Sequence, residues 1–301
     1  MSIKSAFLHV YDKHYKKLLI LSFLLLFACI AVLITHKIQT GEFIAKGVSL
    51  KGGLTMTIPV EQADIHALQA ALASQFPQAD INVRSIAEAG AVKALIIEAA
   101  DVDEADLIAA IKAQGVPMEQ GKYSVEVMGP SLGQSFFKQT IIAVIVAFIF
   151  MSIVVFVTFR NIVPSLFVIL TAVSDIISTI AIIDILGVKL STAGVAALLM
   201  LIGYSVDTDI LLTTKVLKRK EGTIFERTVG AMRTGLLMSL TAFGASMTGY
   251  IYTQSDVVKQ IMLVISIGMV FDIIYTWVQN AGILRWYLES KAKKGDQHGQ
   301  A

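Results

Sequence analysis

The sequence predicts a membrane α-helical protein with six transmembrane helices and an extracytoplasmic, ferredoxin-like α+β domain inserted between helices 1 and 2. Three observations support this fold class. Of the 301 residues, 55% are hydrophobic and 16% are charged, whereas soluble domains are nearer one quarter charged. Six segments approach the length of about 20 apolar residues that a helix needs to cross a bilayer. The more polar stretch 36–138 separates the first of these segments from the other five.

The six spans follow from the distribution of charge along the chain. Three segments contain no charged side chain, and three are long enough only if they include acidic residues. The predicted spans are Leu18–Thr35, Gln139–Phe159, Asn161–Leu186, Leu190–Thr214, Thr234–Ser255 and Gln260–Leu284. They divide the chain into residues 1–35 (N-terminus and helix 1), 36–138 (the inserted domain), 139–286 (helices 2–6) and 287–301 (a C-terminal tail).

The orientation is predicted from Lys and Arg in short loops, because these residues are enriched on the cytoplasmic side. Basic residues cluster before helix 1, between helices 4 and 5, and after helix 6, as at Lys16, Lys215 and Arg285. The short loops on the opposite side contain only Lys189 and Lys259. Both termini are therefore predicted to be cytoplasmic in a multi-pass protein of the cell membrane, with residues 36–138 outside the cytoplasm.

The inserted domain has periodicities that predict the order β-α-β-β-α-β. The predicted strands are Val48–Val60, Asp80–Ile86, Val92–Ala99 and Tyr123–Met128, and the predicted helices are Ala63–Gln75 and Asp103–Gln114. Ala89 and Gly90 are expected to turn between the second and third strands, and either Asp101 or Asp103 is expected to be the N-cap of the second helix. This is the order of a split-βαβ, ferredoxin-like sheet, which by itself implies no function.

Five aspartates lie within the predicted spans: Asp175, Asp184, Asp207, Asp209 and Asp272. A charge at the centre of a bilayer costs about 2.5–3.5 kcal/mol on insertion scales, so none of them can face lipid cheaply. Asp272 and Asp175 are near the middle of their spans, and Asp175 shares a polar stripe with Thr171 and Ser178. Asp184 is near the outer end of its span, where water can solvate it, and we assign it no chemistry.

Asp207 and Asp209 are two residues apart, about 200° around a helix, so they cannot both point into one pocket. Asp209 is close in sequence to Lys215 and the inner surface, and Asp207 is therefore predicted to be the buried acid. Acids held in a wet crevice are candidates for proton transfer, and the proton-relay candidates are Asp207, Asp209, Asp175 and Asp272. The alternative for each is a protonated acid that joins two helices by a hydrogen bond.

The sequence contains no P-loop, no H-E-x-x-H motif and no nucleophile elbow, so it does not predict an enzyme. Its single cysteine, Cys29, excludes an intramolecular disulfide and a Cys-based zinc site. A net charge of +2 gives no general attraction to nucleic acid. We therefore expect no cofactor, no metal and no nucleic-acid partner, and membrane lipid as the surroundings.

Three motifs occur in order along the chain. Gly47-Val48-Ser49-Leu50-Lys51-Gly52-Gly53 opens the inserted domain, Gly129-Pro130-Ser131-Leu132-Gly133 leads into the second span, and Gly203-Tyr204-Ser205-Val206-Asp207-Thr208-Asp209 lies in the fourth. Together with one span followed by five, these motifs resemble the SecF family of protein-export membrane subunits, in its archaeal form. This family belongs to the resistance-nodulation-division superfamily. The resemblance extends over essentially the whole chain.

The resemblance implies a pairing with SecD, association with a SecYE-type channel and assistance to exported polypeptides, with coupling to protons through acids of the fourth span. Bacterial relatives have Asn-Asp-Thr where this chain has Asp207-Thr208-Asp209, so the carboxylate is displaced by one position. SecD-type sequences place their acid after Val, which favours Asp207. Gly47, Gly52 and Gly53 are expected to form a tight turn. Gly129, Pro130 and Gly133 are expected to form a hinge between domain and membrane.

Three other functions are compatible with parts of the sequence. A structural scaffold of the translocon would use the acids only for contacts between helices. A small-molecule efflux subunit driven by protons would share the superfamily fold. An intramembrane aspartyl protease would need two carboxylates around one water, but the Gly-x-Gly-Asp motif is missing before Asp207.

Overall fold

The computed structural model describes residues 3–60, 63–88, 91–118, 123–218, 221–253 and 255–298. The protein is mostly helical and contains one four-stranded antiparallel sheet. The helices are α1 (Ile3–Thr40), α2 (Val48–Lys51), α3 (Ile65–Gln75), α4 (Glu104–Ala113), α5 (Pro130–Phe159), α6 (Ile162–Ile185), α7 (Thr192–Lys218), α8 (Ile224–Tyr252), α9 (Asp256–Ile274), a π-helix (Tyr275–Asn280) and α10 (Ala281–His298). The strands are β1 (Gly53–Pro59), β2 (Asp80–Glu88), β3 (Ala91–Ala100) and β4 (Ser124–Met128).

Five helical segments of the described chain are long and apolar enough to cross a membrane: Tyr11–Thr40, Pro130–Phe159, Ile162–Ile185, Thr192–Lys218 and Val257–Ala292. They correspond to five of the six predicted spans, within two residues where a predicted span extends beyond the segment. The remaining predicted span lies in α8, which is long enough at 29 residues but is rich in Gly, Ser and Thr. Length and composition therefore support five membrane-crossing helices rather than the six expected.

Local sequence signals explain where the long helices begin and end. Thr223 and Glu226 form a capping box at the start of α8, each side chain bonding the backbone N–H of the other. Asn161 caps α6 by accepting the N–H of Val163. The basic side chains of Lys215 and Lys218 lie in the last turn of α7, where they oppose the negative end of the helix dipole.

The inserted domain has its sheet in the order β2-β3-β1-β4, with each neighbouring pair antiparallel. Leu54, Met56 and Ile58 alternate toward one face of β1 and are buried there. They belong to one apolar core with Leu72 of α3 and Leu107 of α4. Both helices therefore cover the same face of the sheet.

The predicted secondary structure of the inserted domain is correct for both helices and for β2, β3 and β4, within a few residues at each end. The predicted strand Val48–Val60 is wrong over its first four residues, which form α2. The extended run breaks at Gly52 and Gly53, where φ is +94° and +136°. Asp103 is the N-cap of α4 and accepts the N–H of Ala105. The turn predicted at residues 89–90 lies outside the described residues.

Candidate functional site

Three aspartates are completely buried among the long helices: Asp175 of α6, Asp209 of α7 and Asp272 of α9. We call them the carboxylate cluster. Among the described residues, no Lys, Arg or His forms an ion pair with any of the three. Burying a carboxyl group costs free energy unless it is hydrogen-bonded. The cluster is therefore stabilised by neutral hydroxyl and amide groups.

The carboxyl group of Asp272 is hydrogen-bonded to hydroxyl groups from three helical segments. Thr208 Oγ1 of α7 lies 2.9 Å from Asp272 Oδ1, and Ser239 Oγ of α8 lies 2.9 Å from Asp272 Oδ2. Thr276 Oγ1 of the π-helix lies 3.2 Å from Oδ1. One carboxyl group thereby connects α7, α8 and the last long helical segment.

Asp175 is hydrogen-bonded to α7 through Ser205, whose hydroxyl donates to Asp175 Oδ2. Close by on α6, Ser178 Oγ lies 2.6 Å from the hydroxyl oxygen of Tyr275. The predicted polar stripe of Thr171, Asp175 and Ser178 is completely buried. This confirms that the stripe faces other helices rather than lipid.

The π-helix places two adjacent amide side chains at the cluster. Asn280 Nδ2 donates to Asp209 Oδ1 over 2.7 Å, and Gln279 Nε2 donates to Ser174 Oγ over 3.2 Å. A π-helical turn is wider than an α-helical turn, so successive side chains are separated by a smaller rotation. Both Gln279 and Asn280 can therefore face inward, and both are completely buried. Such turns occur frequently at functional sites.

The carboxylate cluster and the residues around it contain several buried oxygens with no hydrogen-bond partner among the described residues. They are Asp175 Oδ1, Asp209 Oδ2, Thr213 Oγ1, Gln279 Oε1 and Asn280 Oδ1. Buried polar atoms nearly always have a partner in protein or ordered water. An unpaired carboxyl oxygen can take up a proton or accept a hydrogen bond from water.

The prediction that Asp207 is the buried acid of α7 is wrong. Asp207 is exposed, and Asp209 is completely buried instead of reaching water at the inner surface. The two acids do point in different directions, as their spacing predicts. The packing of the π-helix against α7, through Asn280, decides which of them is inside. Gly203, which opens the motif of the fourth span, is also exposed and lies within the continuous helix α7.

Asp184 lies outside the carboxylate cluster, near the end of α6. Its Oδ1 atom is 2.9 Å from Nδ1 of His36, near the end of α1. This location agrees with the expectation that Asp184 is close to the end of its span. The contact connects α1 and α6.

Small residues allow the helices around the cluster to approach one another closely. A Cβ atom built at Gly235 of α8 would lie 2.1 Å from Trp277 Cζ2, and one at Gly268 of α9 would lie 2.3 Å from Leu201 Cδ2. At both positions a side chain of a neighbouring helix fills the space that a Cβ atom would need, so only glycine fits. Such close packing is typical of helices within membranes.

The first two glycine motifs pack directly against each other where the inserted domain meets α5. A Cβ atom at Gly52 would lie 2.5 Å from Pro130 Cα, and one at Gly133 would lie 2.5 Å from the Gly52 backbone nitrogen. Gly53 approaches the backbone of Ala99 in the same way. We call this contact of Gly52, Gly53, Pro130 and Gly133 the glycine junction.

Gly47 connects the same region to the loop between α6 and α7. Its N–H donates to the carbonyl of Leu190 over 2.9 Å, and the N–H of Leu190 donates to the carbonyl of Ala45 over 2.7 Å. Lys189 Nζ of this loop lies 2.5 Å from Asp80 Oδ1 of β2. The loop therefore joins the inserted domain to the two helices that carry Asp175 and Asp209.

Sequence reasoning missed the neutral partners of the acids: Ser205, Thr208, Ser239, Thr276 and Asn280. A signal for part of this set was present, because Asp272, Thr276 and Asn280 follow at four-residue steps within an otherwise apolar segment. Ser239 shows no such pattern with a neighbouring acid. Among the described residues, no group of three or more His, Cys, Asp and Glu side chains is arranged to hold a metal ion.

Comparison with known proteins identifies the family. The family model described as protein export membrane protein SecD/SecF, C-terminal, matches residues 109–290. The protein-export membrane protein SecF of Methanothermobacter thermautotrophicus is 41% identical over 256 residues, which cover 82% of this chain and 85% of the relative. The chain belongs to the SecF family. Its SecF relative from Pyrococcus furiosus is 35% identical over 279 residues, covering 93% of each chain.

Solved structures agree on the fold. The crystal structure of SecDF, a translocon-associated membrane protein from Thermus thermophilus, superposes with a TM-score of 0.72 at 16% identity. The match covers 92% of this chain and 38% of the SecDF chain. SecDF in its super-membrane-facing form gives a TM-score of 0.62. This SecF-family chain therefore spans about two fifths of the length of SecDF, and the likeness concerns the fold alone.

Proposed function

We propose that this chain works with a SecD subunit to assist the translocation of polypeptides across the cytoplasmic membrane, and that proton transfer at the carboxylate cluster drives this work. The observation that carries the proposal is the burial of Asp175, Asp209 and Asp272, with no paired cation in the described part of the chain, in a member of the SecF family. A buried acid inside a membrane protein is by default a functional residue. The cluster has no role in a binding surface, because all three side chains are inaccessible.

The hydrogen bonds of Thr208 support a proton at the cluster. Its hydroxyl oxygen lies 2.8 Å from the carbonyl oxygen of Ser205 and 2.9 Å from Asp272 Oδ1. A hydroxyl group has one hydrogen to donate and lone pairs with which to accept. Both contacts are favourable if Asp272 is protonated and donates to Thr208. Loss of that proton would leave one contact repulsive and would favour a shift of α7 relative to α9.

A shift of α7 would be transmitted to the inserted domain through the loop between α6 and α7. α6 and α7 carry Asp175 and Asp209, and the loop between them is hydrogen-bonded to Gly47 and paired with Asp80. One charge that moves through 100 mV releases about 2.3 kcal/mol. This amount is enough to bias a rigid-body movement of the inserted domain, and too small to unfold a typical cargo domain.

The proposed topology has six transmembrane helices, with α8 as the fifth. α8 supplies Ser239 to Asp272, so it lies in the same layer as the helices that are apolar enough to span a membrane. Arg285 Nη2 lies 2.7 Å from Asp12 Oδ1, which supports both termini at one end of the bundle. That end carries the basic clusters and is proposed to be cytoplasmic. The inserted domain lies at the other end and is proposed to be extracytoplasmic.

The inserted domain is proposed to be a ferredoxin-like module. Its sheet order, read as β4-β1-β3-β2, and its two helices on one face support this fold. For the domain organisation, residues 1–35, 36–138, 139–286 and 287–301 remain the proposed units.

SecD is proposed to pack against the exposed face of α7. Asp207 lies on this face near Tyr204 and Met200, whose side chains are 42% and 47% exposed. An acid on the lipid-facing surface of a membrane helix is costly, so a partner that covers Asp207 is favoured. SecDF has more than twice the length that this chain matches, which supports a second subunit of similar size. Association with a SecYE-type channel and with exported polypeptides completes the proposed assembly.

Proton flux in liposomes that contain the purified complex with SecD tests the proposal. Under an imposed pH gradient, the wild-type complex should conduct protons, and the Asp209→Asn variant should lose the flux while still copurifying with SecD. Asp207→Asn is the matched control, two residues away. Its proton flux, divided by the amount of assembled complex, should equal that of the wild type. Absence of flux in the wild-type complex would support a purely structural role, and normal flux in Asp209→Asn would remove this acid from the mechanism.

A further inference from the structure

The two edges of the inserted domain's sheet differ in a way that concerns binding. One edge, β2, is closed by the side chain of Gln69 from α3. Gln69 Nε2 donates to the carbonyl oxygen of Ile81 over 2.8 Å, and Gln69 Oε1 accepts the N–H of Val83 over 2.6 Å. A side-chain amide thus occupies the place of a neighbouring strand. Proteins block sheet edges by such devices because an open edge pairs with other chains.

The pairing register shows which groups of the opposite edge strand, β4, point outward. Val60 follows β1 directly and donates its N–H to the carbonyl of Lys93 of β3. These two residues are the next pair after Pro59 and Ala94, so they continue the register between β1 and β3. In an antiparallel sheet successive residues bond to alternate sides, so Leu54, Met56 and Ile58 bond to β3, and Gly53, Thr55 and Thr57 bond to β4. Their partners on β4 are Met128, Glu126 and Ser124.

The backbone groups of Val125 and Val127 therefore point away from the sheet. The same rule directs Ile81 and Val83 of β2 outward, and these are the residues that Gln69 contacts, which supports the assignment. Among the described residues, no side chain or backbone group bonds to the outward groups of Val125 and Val127. The β4 edge thus offers one free N–H and one free C=O at each of two positions.

A cavity of about 710 Å³ lies beside this edge. Val127 pairs across the sheet with buried Leu54, yet its own side chain is 67% exposed and borders the cavity. The cavity's apolar lining includes Leu50 and Phe137. In a sheet, alternate side chains of a strand point to the same face. A fifth strand beside β4 would therefore direct alternate side chains into this cavity.

We propose that the β4 edge binds an extended stretch of exported polypeptide by strand addition, with alternate side chains in the adjacent cavity. This inference rests on the proposed function. Strand addition uses backbone hydrogen bonds, which every polypeptide can make, and a transport protein meets cargo of many sequences. Two open residues make a small contact, which suits transient binding, whereas stable subunit interfaces bury far larger areas. β4 also continues through Gly129 directly into α5, where the inserted domain meets the membrane helices.

The charges around the cavity predict which stretches bind best. The acidic lining residues are Glu42, Asp101, Asp103 and Glu104, and the basic ones are Lys46 and Lys51. Both lysines already face acids, since Lys46 Nζ lies 2.7 Å from Glu42 and Lys51 Nζ lies 3.7 Å from Asp101. The remaining acids favour cargo segments in which apolar residues adjoin Lys or Arg.

Hydrogen exchange on the full chain in complex with its partner subunit tests the proposal. The probe is a synthetic peptide of alternating Val and Thr with Lys at both ends. Its addition should slow exchange of the Val125 and Val127 amides. Exchange within β2 should not change, because Gln69 already covers that edge and serves as an internal control.

Two changes separate strand addition from binding by side chains alone. N-methylation of every second residue of the peptide removes the donors along one edge and keeps the side chains. Val127→Pro removes one outward N–H and spares the bonds between β4 and β1, while Val127→Thr keeps the N–H as its control. Each removal should weaken binding about tenfold, as expected for the loss of backbone hydrogen bonds.

Two results would overturn the proposal. Equal binding of the N-methylated and unmodified peptides would show that the backbone edge is not used, whether or not Val127→Pro folds. Protection of Val125 and Val127 before any peptide is added would show that the partner subunit occupies the edge. Failure of the proposed function would appear separately, as normal export in cells depleted of this chain, because the peptide assay does not measure export.

Discussion

The inserted domain and the long helices are organised in opposite ways. The inserted domain has an apolar interior around Leu72, Leu95 and Leu107, all completely buried. The long helices have polar groups at their centre, including Asp175 and Asp272, and large apolar side chains on their outer surfaces. Water drives apolar groups inward in the first region. In lipid there is no such driving force between helices, and polar groups gather where they can satisfy one another.

This difference separates stability from function within one chain. The interior of the inserted domain contains apolar groups that pack against one another, and the binding we propose for this domain is at its surface, at the β4 edge and the cavity. The interior of the helical region contains buried acids, and the proton transfer we propose is at its centre. The glycine junction and the loop around Leu190 connect the two. Four predictions test this division, beginning with the largest expected effect.

Gly52→Ala should weaken the packing between the inserted domain and the long helices at the glycine junction. The residue has φ +94° and ψ +161°, a conformation essentially limited to glycine, and its Cβ would overlap the Pro130 backbone. We expect a loss of about 4 kcal/mol, as strain and backbone overlap combine. Limited proteolysis at the junction should show faster cleavage.

Gly129→Ala is the control for this change. Gly129 directly precedes Pro130 of the glycine junction and has φ −60°. A Cβ atom at this position would contact nothing. Cleavage of this variant should match the wild type. Equal cleavage of Gly52→Ala and Gly129→Ala would refute the close packing of the junction.

Leu95→Ala should unfold the inserted domain and leave the helices intact. Leu95 is completely buried in β3, and such truncations cost about 3 kcal/mol through lost burial and a cavity. Hydrogen exchange should accelerate in the strands, while the fluorescence of Trp277 and Trp286, the only two tryptophans, should not change.

Leu240→Ala is the counterpart in the helical region. Leu240 is 55% exposed on α8 and loses little burial when it is truncated, so the change should have little effect on stability. A large effect at Leu240, or none at Leu95, would contradict the opposite organisation of the two regions.

Gly235→Ala should loosen the packing around the carboxylate cluster. The new Cβ would overlap the buried ring of Trp277, and overpacking of this kind costs about 2 kcal/mol. Thermal unfolding followed by tryptophan fluorescence should show the loss. Gly244→Ala on the same helix, where a Cβ meets nothing, should unfold no more easily than the wild type, because alanine favours a helix more than glycine does. A matching loss there would show that overlap with Trp277 is not the cause.

Gln69→Ala should have the smallest effect on stability and a distinct effect on association. It removes two hydrogen bonds at the β2 edge, a loss of about 1 kcal/mol. An uncovered edge should pair with other chains, so light scattering should detect increased self-association. Gln75→Ala, at the exposed end of α3, should remain unassociated; if Gln69→Ala does too, the side chain is not what protects this edge.

Much of the architecture was predictable because it follows from local patterns. Runs of apolar residues predicted the long helices, and two- and four-residue periodicities predicted five of the six elements of the inserted domain. The SecF resemblance, based on three motifs in order, is confirmed by the comparisons. The sixth predicted span, in α8, is not among the five segments that are apolar enough to cross a membrane, and α8 is rich in small residues.

The site was predictable only in part. Asp175 and Asp272 were identified as deep acids from their positions in the spans, and both are completely buried. The choice between Asp207 and Asp209 was wrong because helical spacing shows that two residues diverge and not which of them faces inward. That choice depends on Asn280, which is 71 residues away in sequence from Asp209.

Long apolar helices, a separate α+β insert and acids at depths where charge is unfavourable could be predicted from the sequence, because each of these properties belongs to a continuous segment. The folded chain was needed to show which acids share an interior, that a π-helix supplies an amide partner to one of them, and that one sheet edge is closed while the other is open. These features depend on contacts between distant segments, and the pattern within any one segment leaves them undetermined.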